Sequence, residues 1–239
     1  MMTPEQMAMQ LKVLKNSGLE YVPRAAVRPR AVVTARPVNT TQEEDSTPVV
    51  PGNVVELQQL AKAVSQCRLC PSLFATRMQT VFGTGPVSAS VFFISDAPGE
   101  DDDRTGLPLQ GDTGALFDRM VGKMGLDRAD VYITSTIKCR PPQNRQPTTD
   151  ECERCRQYLV EQIRLVQPKV ICCLGAAASQ TLLNTEAPIT ALRGSTHHHG
   201  AIPVVCTYSL LYLLKNEAAR RPAWDDLQDV LQLLATHPS

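Results

Sequence analysis

Apolar and polar positions follow two different rhythms along this chain. Short apolar runs of strand length lie at Val87 to Ile94, Val131 to Ile137, Lys169 to Leu174 and Pro203 to Thr207. Between them, at Thr113 to Met124, Thr148 to Val166 and Ala176 to Leu183, apolar residues recur every three or four positions, the period of a helix packed on one face. Strands separated by helices predict right-handed crossovers and an α/β fold, a three-layer αβα sandwich around a central, mainly parallel four-stranded sheet. Ligands of such sheets bind beyond the carboxyl ends of the strands. Here those ends are Ser95 to Gly99, Ser135 to Cys139, Gly175 and Tyr208-Ser209, so topology alone nominates a site.

Outside this alternation, Met7, Leu11, Val13 and Leu14 predict a short amphipathic helix from Pro4 to Ser17, closed by Gly18. Residues 19–52 are rich in Pro, Thr, Val and Arg without a period and read as a flexible linker. The folded domain is therefore expected over residues 53–239.

At 239 residues the chain can bury a substantial core without disulfides. Lys and Arg total 24, as do Asp and Glu. Any nucleic-acid contact must then come from local clustering of cations, not from net charge. The N-terminus lacks the apolar stretch of a signal peptide, and no later run is long enough to span a bilayer, so a cytoplasmic protein without membrane association is expected.

In that reducing compartment eight cysteines argue against a disulfide framework and for metal ligation wherever they cluster. Cys67 and Cys70 form a C-x-x-C pair, Cys139 follows a strand end, and Cys155 sits on the first turns of a predicted helix. Without further context zinc is the more frequent cytosolic answer for four such residues, and plain core thiols are the alternative. Cys172, Cys173 and Cys206 lie inside strands and read as packing residues. Cys152, nearly one turn from Cys155, belongs to either class.

Five blocks in order resemble the family 4 uracil-DNA glycosylases, the iron–sulfur branch of that superfamily: Cys-Arg-Leu-Cys at 67–70, Ala-Pro-Gly-Glu-Asp-Asp-Asp-Arg-Thr-Gly-Leu-Pro at 97–108, Lys-Cys-Arg-Pro-Pro-Gln-Asn-Arg at 138–145, Pro-Lys-Val-Ile-Cys-Cys-Leu-Gly-Ala at 168–176 and Ile-Thr-Ala-Leu-Arg-Gly at 189–194. The resemblance runs from Cys67 to about Leu234. It implies a [4Fe–4S] cluster held by Cys67, Cys70, Cys139 and Cys155, and a DNA substrate whose uracil is flipped out and cut from its sugar.

The pocket departs from the family pattern. Where the family's first motif carries a glutamate that serves the hydrolytic water, this chain has Asp96, followed by Ala97, Pro98 and Gly99. Asp96 retains a carboxylate, one methylene shorter, as the catalytic candidate; read alone it also suits a turn or a helix N-cap. Leu109 stands where an aromatic residue stacks on the base, Ser135 where an asparagine reads the uracil edge, and Ser209 where a histidine meets the base oxygen. Losing one preorganised donor at a developing oxyanion costs about 100- to 1,000-fold in rate. Leu211, Tyr212 and Leu213 remain as a wedge toward the base stack.

Lys138, Arg140, Arg145, Arg193 and Lys215, with Arg68 and Arg77, are the expected phosphate contacts. His197, His198 and His199 are expected in a solvated loop. Two functions follow: a uracil-excising repair glycosylase of reduced or altered activity, or a catalytically impaired paralogue that binds single- or double-stranded DNA. Either is expected as a monomer, with the N-terminal helix available to a repair partner. A zinc-dependent hydrolase is disfavoured because four cysteines leave no open coordination position.

Overall fold

The computed structural model of the protein describes residues 51–236, so the expected N-terminal helix and nearly all of the expected linker lie outside the described residues. The first element is helix α1 (Pro51–Ser65), followed by α2 (Pro71–Thr76) and strand β1 (Val91–Ser95). Next come α3 (Glu100–Thr105), α4 (Gly111–Lys123), β2 (Tyr132–Ser135) and the long α5 (Thr149–Val166). Then β3 (Val170–Leu174), α6 (Ala176–Leu183), α7 (Ile189–Leu192), β4 (Thr196–His199) and β5 (Ile202–Thr207) complete the sheet. Helices α8 (Leu210–Lys215) and α9 (Arg220–Thr236) close the domain.

The sheet order is β2-β1-β3-β5-β4, parallel except for β4 against β5. It has five strands, not the expected four. The additional strand is Thr196–His199, whose three histidines carry no apolar signal and pair with β5 through backbone bonds alone, His197 opposite Val204. The histidines are therefore on an edge strand and not in a loop, and His197 Nε2 lies 2.7 Å from the Leu192 carbonyl.

Both faces of the sheet are covered, which is why β1, β3 and β5 read as continuous apolar runs. Val91, Phe93, Cys172, Leu174 and Val205 pack toward α4 and α9, whereas Phe92, Ile94, Ile171, Cys173, Val204 and Cys206 pack toward α5 and α6. Cys172, Cys173 and Cys206 are buried packing residues. Among the described residues no helix is long and apolar enough to cross a membrane.

The free edge of β2 is covered by residues 81–85. Thr84 exchanges backbone hydrogen bonds with Ile133 (2.9 and 2.7 Å), and Val81 N–H donates to Lys138 O (2.8 Å). The close approach requires Gly85, at φ +137°, because a Cβ there would fall on Val131 O and within 2.6 Å of Tyr132 Cα. Gly85→Ala is expected to destabilise the domain by about 2–4 kcal/mol, through backbone strain plus loss of the edge cover. Urea unfolding of the two proteins measures this, and a difference below about 0.5 kcal/mol would contradict it.

Candidate active site

In sequence β1 precedes both of its neighbours, β2 on one side and β3 on the other, so the chain reverses direction across the sheet between β1 and β3. Such a switch point opens a crevice at the carboxyl ends of the strands. A cleft of about 360 Å³ lies there, lined by Asp96, Ala97, Pro98 and Gly99 after β1, by Gln110 just before α4 and Thr113 on it, by Asn144 to Pro147, and by Ser209 and Leu211 on the α8 side.

Asp96 is held on its far side. Its carboxylate accepts the N–H of Ala178 at 3.0 Å and the N–H of Ala177, both from the first turn of α6. It lies against the Cα of Gly175, where a Cβ would collide with both carboxylate oxygens. Gly175, at φ +130°, is thus the seat of the carboxylate, a role that the sequence reading did not assign. The available signal was a glycine ending a buried strand beside the switch point. Burial pushes the Asp96 carboxyl up to about 6, against the two N–H donors that favour its charge.

The acidic run after Gly99 divides by task. Asp102 is buried and ties the two ends of its loop, accepting the N–H of Gly99 (3.1 Å) and of Gln110 (2.7 Å). Asp103, also buried, accepts the N–H of Met78 at 3.0 and 3.1 Å. Glu100 and Asp101 face the cleft, where they and Asp112 make one rim acidic.

Other expected pocket residues are placed differently. Leu109 takes a left-handed backbone (φ 53°), which turns its side chain into the core beside Phe117 instead of toward a base. Ser135 is fully buried, its Oγ 2.8 Å from Ser95 Oγ, so it seals the strand end below the cleft. Ser209 does line the cleft. It also caps α8, its Oγ accepting the Tyr212 N–H at 3.3 Å, so its own hydroxyl proton stays free to donate.

The expected phosphate contacts need the largest correction. Lys138 is 1% exposed, with Nζ donating to Thr134 Oγ1 (2.6 Å) and Ser135 O (2.7 Å), and cannot reach DNA. Arg140 pairs with Glu100 (2.9 Å), Arg145 binds Glu151 in bidentate fashion (2.8 and 2.6 Å), and Arg193 clasps buried Asp226 (3.1 and 3.0 Å). Arg77 donates to Cys139 Sγ (2.9 Å), and Arg68 stacks on Phe74. In the expected wedge, Leu213 is buried in the core, whereas Leu211 and Tyr212 are 46% and 45% exposed beside exposed Lys215.

Cys67, Cys70, Cys139 and Cys155 all line one small cavity bounded by Leu73, Ile137 and Tyr158. Cys152 turns away and bonds Thr181 in a different recess. Three donors surround the four thiols: the Arg77 guanidinium on Cys139, the Lys138 backbone N–H on Cys155 and the Tyr158 hydroxyl on Cys67. Among the described residues no three His, Cys, Asp or Glu side chains close on a single point as ligands of one metal ion.

Comparison with known proteins adds to this geometry. The profile of the Uracil DNA glycosylase superfamily matches residues 82–228. A type-4 uracil-DNA glycosylase of Archaeoglobus fulgidus is 43% identical over 128 residues, which are 54% of this chain but only 64% of that one. The type-4 uracil-DNA glycosylase of Thermotoga maritima is 35% identical over 72% of this chain and 91% of its own. That of Sulfurisphaera tokodaii is 33% identical over 75% and 86%.

The Asp96 environment predicts a pH signature. Its folded value, about 6, lies above its ordinary 3.8, so the folded state holds a proton that the unfolded chain releases between the two. The stability contributed is complete below about pH 4 and lost as pH rises through about 6. Asp96→Asn is therefore expected to gain about 1–3 kcal/mol over the native protein on going from pH 4 to pH 7.5. Unfolding by urea at both pH values reads the change, and a pH-independent difference would contradict it.

Proposed function

The chain belongs to the uracil DNA glycosylase superfamily, and on that basis we propose that it is a cytoplasmic, monomeric DNA-repair glycosylase-like protein that hydrolyses the N-glycosidic bond of flipped uracil at reduced rate. The observation that carries this reading is Asp96, a carboxylate at the switch-point cleft whose orientation two backbone N–H groups fix.

With its value near 6, Asp96 is ionised at neutral pH. It accepts the proton of a water attacking the anomeric carbon and stabilises positive charge on the sugar, while α6 prevents it from rotating away. The departing base takes the bond's electron pair and needs a donor. Ser209 offers one neutral hydroxyl there, a weaker substitute for a histidine. No aromatic ring stacks on the base from position 109, and no amide reads its edge from position 135. These losses favour slow chemistry, and they support the second reading, a DNA-binding paralogue with an impaired pocket.

The four thiols on one cavity wall fit a [4Fe–4S] cluster held by Cys67, Cys70, Cys139 and Cys155, since a cubane takes one thiolate at each of four separated irons. Burial pushes the Cys139 and Cys155 thiols up, so thiolates there require positive charge nearby, which the metal, Arg77 and Lys138 would supply together. When bound, such a cluster is an electron-transfer group and a staple. Hydrolysis needs no electron, so the staple role is the one proposed, joining the α1–α2 connection to the loop after β2 and to α5.

Two measurements test these readings. Purified protein is expected to contain about four irons per chain with broad absorption in the visible blue, and Cys139→Ser is expected to lose iron and stability. Zinc without iron in anaerobically prepared protein would overturn the cluster. Native protein is expected to release uracil from single- and double-stranded DNA slowly under single-turnover conditions. Ser209→His should raise the rate about 10-fold or more, and Asp96→Asn should abolish it. Equal rates for native protein and Asp96→Asn would remove Asp96 from the mechanism.

A further inference from the structure

On the side of α8 away from the cleft lies a second groove, of about 210 Å³, between α4 and α9. Leu116, Arg119, Met120 and Lys123 line it from α4, and Arg220, Ala223, Trp224 and Leu227 from α9. Both sets follow the i, i+3, i+4, i+7 spacing of one helix face. All three charged residues lining the groove are cations. Asp118 is engaged by Arg128, Glu217 pairs with Arg220 from outside the groove, and Asp225 and Asp229 do not line it. Arg220 is also anchored, its Nε donating to Leu213 O at 3.2 Å.

Two independent features connect this groove to nucleic acid. The first is continuity, because α8 separates groove from cleft: Ser209, Leu211 and Leu214 line the cleft, and Leu213 lines the groove. A helix with its side chains is only about 10–12 Å across, a span of about two nucleotides. The second is charge. The opposite rim of the cleft carries Glu100, Asp101 and Asp112, and the mouth cations Arg140 and Arg145 are held by Glu100 and Glu151. A phosphate chain leaving the cleft is repelled on the α3 side and meets Lys215, Arg119 and Lys123, which make no ion pair among the described residues, on the α8 side.

We propose that the α4–α9 groove is a binding site for single-stranded DNA, with Arg119 and Lys123 taking the phosphates and Trp224 stacking on a base. The site deepens the DNA-directed reading given above, but it does not require the cleft to be catalytically active. Aromatic stacking beside a basic groove is the usual way to hold a single strand without reading its sequence. The apolar floor suits the face of a base, and a lining without carboxylates among the described residues suits its backbone.

Trp224 is the one tryptophan in the chain, so its emission reports on the groove without a label. The full-length protein is titrated with an unmodified oligothymidylate over a range of salt, following tryptophan emission together with anisotropy of a fluorescein-tagged copy. Binding is expected to quench Trp224. The double variant Arg119→Gln, Lys123→Gln is expected to flatten the slope of log K against log salt by about 1.4, or about 0.7 per cation. Trp224→Leu should weaken binding about tenfold at fixed salt, and Trp224→Phe should restore most of it. Circular dichroism melting confirms that each variant is folded, and the double glutamine variant, on an exposed surface, carries the test if Trp224→Leu is not. Unchanged affinity and salt slope in the double variant, or preference of the groove for an acidic leucine-rich peptide over the oligothymidylate, overturns the proposal. Uracil release is measured on the same samples. A native protein that binds through the groove yet releases no uracil counts against the glycosylase reading alone, whereas uracil release with groove variants that bind like native overturns the groove alone.

Discussion

A parallel sheet buried on both faces leaves its polar side chains one place to go, the ends of its strands. Ser95, Thr134, Ser135 and Thr207 all stand at carboxyl ends, and each is buried and hydrogen-bonded. The same constraint brings Asp96 to the mouth of the crevice and Gly175 beneath it. A side chain at Gly175 would displace the carboxylate, and a bulkier loop after β1 would close the cleft. The chemistry of the site thus follows from the packing of residues that never touch a substrate.

Commitment of charge is the second organising fact. The chain is formally neutral, and its cations near the cleft are spent on structure: Arg193 on Asp226, Arg145 on Glu151, Arg77 on a thiol and Lys138 on backbone and hydroxyl oxygens. A buried or half-buried pair of this kind is costly to break from one side, because the partner is left uncompensated. These arginines are therefore poor candidates for exchange onto phosphates. Cations on exposed helix faces carry no such constraint, which shifts the electrostatic path of a polyanion from the Pro-Pro turn toward α8 and the groove behind it.

The cysteine cavity and the cleft are linked mechanically. Lys138 hydrogen-bonds the end of β2, next to Ser135, and is adjacent in sequence to Cys139. Asp103 fastens the Met78 backbone, which follows Arg77, to the α3 segment whose Asp102 shapes the cleft loop. Loss of order around the thiols would therefore reach the cleft through two short paths, each a stretch of backbone closed by a hydrogen bond.

The alternation of strand-length and helix-length apolar patterns determined the layer architecture, because burial on both faces of a sheet writes itself into consecutive residues. The position of Asp96 at a strand end was legible for the same local reason, whereas the four cysteines around the cavity were singled out by the family resemblance. Strand β4 was not legible, since an edge strand that pairs through its backbone needs no apolar pattern. Nor were the fates of Leu109, Lys138 and Arg193. Whether a leucine faces a base or the core depends on a left-handed φ angle, and whether a cation is free depends on which carboxylate the fold brings beside it. Gly175 as the seat of Asp96 joins residues 79 positions apart, a contact that only the pairing of β1 with β3 creates. The sequence by itself determined which chemical groups the strand ends carry; the tertiary structure decided which of them point into the cleft and which are already engaged.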